Sequence, residues 1–283
     1  MSDAQTGKLM EWVWPSAFVI CTGWVIWHMP AFIIDFLPPL SESMSAQIAE
    51  LHERKDVTAG WAGLFGGTAD IIDWIALILI PILFFFGARG VRVAAMEFQD
   101  WRGIDRIALF IGRVTMMLIL FMTFVMLYEV LLRYVFEAPT KWANELTLWI
   151  AAFVFLCSGL YAMQQRSHIR IFIIYEMMPR WARHVCDCLS VFFIWLFAIA
   201  MVFGSYKQVF VNKFYKWETF GTAFDPPIPA TIQPMILIIV CLIAAQSLVN
   251  LIADWNTNPD EHLSTAEIDQ DEIDAIKRSI GEP

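Results

Sequence analysis

Apolar residues along this chain arrive in blocks, not at the spaced positions of amphipathic surface elements. A helix needs roughly 20 apolar residues to cross a bilayer core. Six segments approach that length, at about 12–34, 70–88, 107–132, 145–164, 187–206 and 231–252. The first carries Trp12, Trp14, Trp24 and Trp27 with Pro15 and Pro30 inside it, which suits either a full span or a partial stay in the headgroup layer. The second is short and puts Asp70 and Asp73 at a membrane interface. The pattern predicts an all-α polytopic membrane helix bundle of about six transmembrane helices. Two weaker patterns lie between and after the blocks. In SMSAQIAELHERK, residues 43–55, Met44, Ile48 and Leu51 recur at i, i+4 and i+7, which predicts a short amphipathic surface helix. Beyond about Asp254 the chain turns acidic. Ser264 and Glu267 have capping-box spacing ahead of Ile273, Ile276 and Ile280, but the composition favours a solvated tail.

Positive charges orient the blocks. Arg89, Arg92, Arg102 and Arg106 crowd one connection, and Arg166, Arg170, Arg180 and Arg183 another. The opposite connections hold Arg54, Lys55, Arg133, Lys141, Lys207, Lys213 and Lys216 over about twice the length. Density of positive charge therefore places the first two connections in the cytoplasm, with both termini on that side. The opening apolar block has only Lys8 before it and no small-residue cleavage site, and is read as retained.

Composition narrows the function. The chain has 283 residues, 58% of them hydrophobic, and its formal charge of −9 lies mostly in the tail. A nucleic-acid partner is excluded, because it would demand a basic face. Cys21, Cys157 and Cys241 fall inside apolar blocks, so the five cysteines make no disulfide framework. The run HVCDC offers His184, Cys186 and Cys188, but residues two apart on a helix point to nearly opposite sides, which speaks against a shared metal. His28 is the single histidine inside an apolar block, where a haem anchor wants facing pairs. There is no outward Cys-x-x-Cys, P-loop or nucleophile elbow. No catalytic residue, cofactor or metal ligand is assigned. Nor do the blocks suit a lone carrier, which places its solute between broken helices in paired halves. Pro81 breaks one block and nothing mirrors it.

What remains is a set of charges at the edges of the blocks. Glu129 and Arg133 are four apart in the order that favours a helical ion pair. Lys141, Trp142 and Glu145 follow across Pro139, and Arg113 stands where it can snorkel to the opposite interface. Such charges either satisfy one another and lock the helices, or meet a partner, because unmatched charge in a membrane is costly.

Residues 104–255 resemble the small membrane subunit of tripartite ATP-independent periplasmic (TRAP) transporters, the DctQ-like family. The resemblance rests on the order of several short motifs. IDRIALFIGR at 104–113 leads into a span that ends in LLRYVF at 131–136. WANEL at 142–146 supplies Glu145, and HIRI at 168–171 supplies His168 and Arg170. KWETFGTAFDPPIPATIQP at 216–234 precedes a last helix with Gln246. Phe172 and Ser158 depart from the family's usual Asp and Gly.

The resemblance implies three parts: an N-terminal extension over 1–100 with two membrane helices, a four-helix small-permease domain over 101–255, and an acidic tail over 256–283. It implies a non-catalytic subunit of a sodium-coupled secondary transporter in the bacterial inner membrane. A large permease subunit would hold the solute and ions, and a periplasmic binding protein would deliver an organic acid. The small subunit would brace the large one, in contact with membrane lipid. Glu129, Arg133, Lys141, Trp142, Glu145, His168 and Arg170 are the candidate partner-interface residues. A membrane anchor for a redox complex is the reading from another class, distinguished by haem absorbance. An assembly factor acting through its acidic tail is a third, tested by removing residues 258–283.

Overall fold

The computed structural model describes residues 10–36, 69–92, 103–166 and 178–255, with isolated positions at 43, 45, 46, 94 and 97. The amphipathic helix expected over 43–55 and the tail beyond residue 255 lie largely or wholly outside the described residues, as do His168 and Arg170. The described residues are helical throughout their ordered elements. These are α1 (Met10–Trp27), α2 (Met29–Phe36), α3 (Ile71–Gly90), α4 (Asp105–Tyr134), α5 (Ala143–Gln164), α6 (Arg180–Tyr206) continued by a π-helical segment (Lys207–Phe214), and α7 (Ile228–Asp254). Five of them are long and apolar enough to cross a membrane: α3, α4, α5, α6 with its π segment, and α7.

The first apolar block departs from expectation by breaking at His28. α1 closes with His28 N–H donating to Trp24 O at 3.0 Å, and α2 restarts with Ala31 N–H on His28 O at 3.0 Å. Pro30 sits in the first turn of α2, where its missing N–H costs no helical bond. α1 nevertheless runs antiparallel along the whole of α3. Trp14 stacks on Phe86 near the end of α3, and Trp24 Nε1 donates to Asp73 near its start at 2.8 Å.

Asp73, which opens this span in the sequence, is packed inside the protein. It is 2% exposed. One carboxylate oxygen takes the Trp24 indole, and the other accepts Asp70 N–H at 3.1 Å. Asp70 returns the favour by capping Ile72 and Asp73 N–H groups. A helix start with this reciprocal cap leaves few backbone donors unmatched, which is why two aspartates open an otherwise apolar helix.

The helices pack mainly as a row. α1 and α3 lie together against α4, α4 packs on α5, α5 on α7, and α7 on α6 and the π segment. A bundle wound around one centre would bury a stripe on every helix, whereas a row leaves both broad faces open. Burial agrees with a row: within the most apolar stretch, 22–28% of residues are buried in α3, α4, α5 and α7, and 6% in α6. Phe110, wholly buried, holds the seam between the α1–α3 pair and α4. It meets Phe18 and Phe84 edge-on at 5.5 Å each, beside Ala88 and Val114. Gly87 passes so close that an added Cβ would lie 2.2 Å from the Phe110 ring. At the far side α2 turns inward, and Ile33 packs on Trp217 and Ala230 of the core.

Candidate functional site

α4 has 30 residues, roughly 45 Å at 1.5 Å per residue, against a hydrocarbon core of about 30 Å. Its two ends therefore project beyond the lipid, and the polar side chains gather there. At the C-terminal end of α4, Glu129 is 2% exposed. Its Oε1 accepts from Arg133 Nη2 at 2.6 Å and Nε at 3.2 Å. Its Oε2 accepts from Thr140, through the hydroxyl at 2.5 Å and the backbone N–H at 3.1 Å. Four donors from two residues converge on one carboxylate, as a buried charge requires. The expected ion pair forms within α4, and Thr140, in the turn before α5, adds a clasp from Glu129 to that turn. Glu137, in the left-handed region at φ 52°, turns the chain back between them.

The other expected residues at this end divide. Trp142 stacks on Tyr128 with ring centroids 6.1 Å apart, adding to the α4–α5 clasp. Glu145 is tied elsewhere: Thr222 donates its hydroxyl to Oε2 at 2.5 Å, joining α5 to the connection before α7. Trp149 Nε1 donates to Thr231 Oγ1 at 2.8 Å and so ties α5 to the start of α7 itself. Lys141 is exposed. Lys213 and Glu218 form an ion pair beside the end of the π segment. Trp27 at the end of α1 stacks on Phe224 of that connection at 6.1 Å.

The opposite end centres on Glu97, which sequence reasoning did not single out. Glu97 Oε2 accepts from Arg113 Nη2 at 2.7 Å and from Ala94 N–H at 2.8 Å, and Oε1 accepts the Tyr161 hydroxyl at 2.7 Å. Arg113 therefore does not snorkel outward. Its side chain is 14% exposed and turns to a carboxylate and to Arg92 O. The available signal was an acid placed among Arg89, Arg92, Arg102 and Arg106. At the same end Gln246 Nε2 donates to Asp105 Oδ1 at 2.7 Å and to Asn250 Oδ1 at 3.0 Å, binding α7 to α4. Arg166, at φ 54°, closes on Asp254 through two bonds of 2.8 and 2.7 Å.

Between the ends, the hydroxyls within the spans turn back on their own helices. Thr115, Thr123, Ser158 and Ser190 each donate to a carbonyl three or four residues earlier. A hydroxyl engaged this way offers little to a polar solute. Among the described residues no group of three or more His, Cys, Asp or Glu side chains is placed to hold a metal ion. His184 of the HVCDC run stacks on Trp255 at 4.5 Å. The arrangement ties the helices together at both ends.

No curated protein and no solved structure matches the chain. Residues 122–256 match the family described as tripartite ATP-independent periplasmic transporters, DctQ component. The match starts within α4 and runs through α7, so it takes in the Glu129 clasp, Glu145 and Gln246. Over residues 122–256, somewhat less than half of its length, the chain is similar to the DctQ component family of tripartite ATP-independent periplasmic transporters.

Proposed function

We propose that the chain is the non-catalytic small subunit of a sodium-coupled TRAP transporter for an organic acid, bracing the stationary part of a large permease subunit. The observation that carries this reading is the row itself. Its broad faces are apolar, while its buried charges tie the helices together at both ends. Such a plate is stiffened at its rims and free to lie against a large membrane partner. Helix association inside lipid depends on packing and matched polar groups rather than on the hydrophobic effect, so a plate of this kind enlarges a partner's footprint without moving itself.

In this reading residues 1–100 form an extension that widens the plate, 101–255 form the small-permease domain and 256–283 a cytoplasmic tail. The Glu97 end faces the cytoplasm, in keeping with its arginines. The Glu129 end faces the periplasm of a bacterial inner membrane, where Lys141, Trp142 and the Glu145–Thr222 link help seat the binding protein. His168 and Arg170 serve the cytoplasmic contact with the large subunit.

Co-expression with a large membrane subunit tests the proposal. The two are expected to purify together. Arg133→Ala and Glu145→Ala are expected to lower the yield of the complex, or uptake by it, while leaving the order of preferred solutes unchanged. A changed preference in either variant would mean that the clasp lies on the solute's path.

A further inference from the structure

We propose that the groove between the start of α6 and the end of α7 binds an anionic phospholipid. The groove has a volume of about 370 Å³ and is lined by His184, Val185, Cys188, Leu189, Phe192 and Trp255. The His184 and Trp255 rings stack at 4.5 Å and 22° and form one wall. Val185, Leu189 and Phe192 form the other, and each remains about half exposed at 50%, 48% and 58%. Away from His184 the lining is wholly apolar and leads along α6 into its most hydrophobic stretch.

Charge is confined to the opposite end of the groove. Arg180 stands one turn before His184 on the same helical face, and is exposed. Arg183 is adjacent, steered by its Nε–H bond to Met178 O at 2.9 Å. Asp187 is the one acid in the first two turns of α6, so Arg180 and Arg183 outnumber it. Asp254, next to Trp255, is already engaged by two bonds from Arg166. Trp181, 70% exposed, marks the headgroup level beside this charge.

Positive charge above an apolar slot is complementary to a lipid with a net negative headgroup and an acyl chain. A free phosphate would gain nothing from Leu189 and Phe192. A zwitterionic lipid would bring its own cation against Arg180. A second protein chain finds the same apolar slot, but no acidic partner for the arginines is needed once the occupant is an anionic lipid.

Native mass spectrometry of the purified full chain, titrated with phosphatidylglycerol or phosphatidylcholine, tests this. Phosphatidylglycerol is expected to be retained preferentially. Arg180→Gln with Arg183→Gln is expected to weaken that retention about thirtyfold, two membrane-surface charges at roughly fivefold each, with phosphatidylcholine unaffected. Leu189→Trp, which fills the slot and keeps both arginines, is expected to lose the lipid as well. Equal retention of both lipids by the unaltered chain would overturn the proposal, as would undiminished phosphatidylglycerol in either variant. Displacement of the lipid by soluble glycerol phosphate would assign the arginines to a free phosphate instead. A dimer lost in Leu189→Trp, with no anionic lipid retained, would assign the groove to a second copy.

Discussion

Glu97→Ala is expected to destabilise the chain by about 3–5 kcal/mol, the range found when one partner of a buried ion pair is removed. The carboxylate serves three donors on three segments: Ala94 N–H, the Arg113 guanidinium and the Tyr161 hydroxyl. With the carboxylate gone, Arg113 keeps Arg92 O at 3.2 Å but loses its counter-charge, and the Tyr161 hydroxyl loses its acceptor. Neither is well placed to recover water, because the Arg113 side chain is 14% exposed and that of Glu97 is 6% exposed. Glu97→Gln retains an acceptor for Tyr161 without the charge and should fall between the two. Unfolding in graded sodium dodecyl sulfate, followed by tryptophan fluorescence, reads the difference. An unchanged transition in Glu97→Ala would show that the segment around Glu97 is not latched to α4 and α5 at this point.

The second large effect concerns Gly112, where α4 packs tightly against Tyr161 of α5. A Cβ added there would lie 2.4 Å from Tyr161 Cδ2 and 2.8 Å from Cε2. Taken alone, Gly→Ala within a helix is favourable by up to about 1 kcal/mol. Overpacking of a fitted contact costs about 1–3 kcal/mol, and here the ring has little room to yield, since its hydroxyl is held by Glu97. Steric cost should therefore win, and Gly112→Ala should destabilise the chain. Tyr161→Ala removes the obstacle. The double variant is expected to be more stable than the two single effects summed, because residues in direct contact do not add. Strict additivity would mean that the helices separate at this point without strain.

The membrane helices were legible from hydropathy because a bilayer tests each span almost independently. The apolar blocks at 107–132, 145–164 and 231–252 lie within α4, α5 and α7. Hydropathy marks only the part of a helix in lipid, however, so it missed the first turns of α6, where Arg180, Arg183, His184 and Asp187 continue the same helix. Nor did it foresee the break at His28, because a proline in a first turn and a proline within a span look alike in sequence. Pro15, Pro81 and Pro234 all sit inside continuous helices.

The candidate site was legible where its partners were near in sequence. Glu129 and Arg133 follow the helical repeat, and the structure pairs them. Thr140 on Glu129, Thr222 on Glu145 and Tyr161 on Glu97 are contacts made by folding, across 11, 77 and 64 positions. No local periodicity announces them. Arg113 shows the consequence: read alone it is a snorkelling cation, and beside Glu97 it becomes half of a buried pair.

In the proposed function these helices brace a transporter without conducting its solute. Uptake into liposomes measures this directly, with this chain alone, with a large permease subunit alone, and with both, under a sodium gradient and with the binding protein supplied. Solute is expected to accumulate when both membrane subunits are present and to stay at the level of empty liposomes with this chain alone. Accumulation by this chain alone would contradict the account.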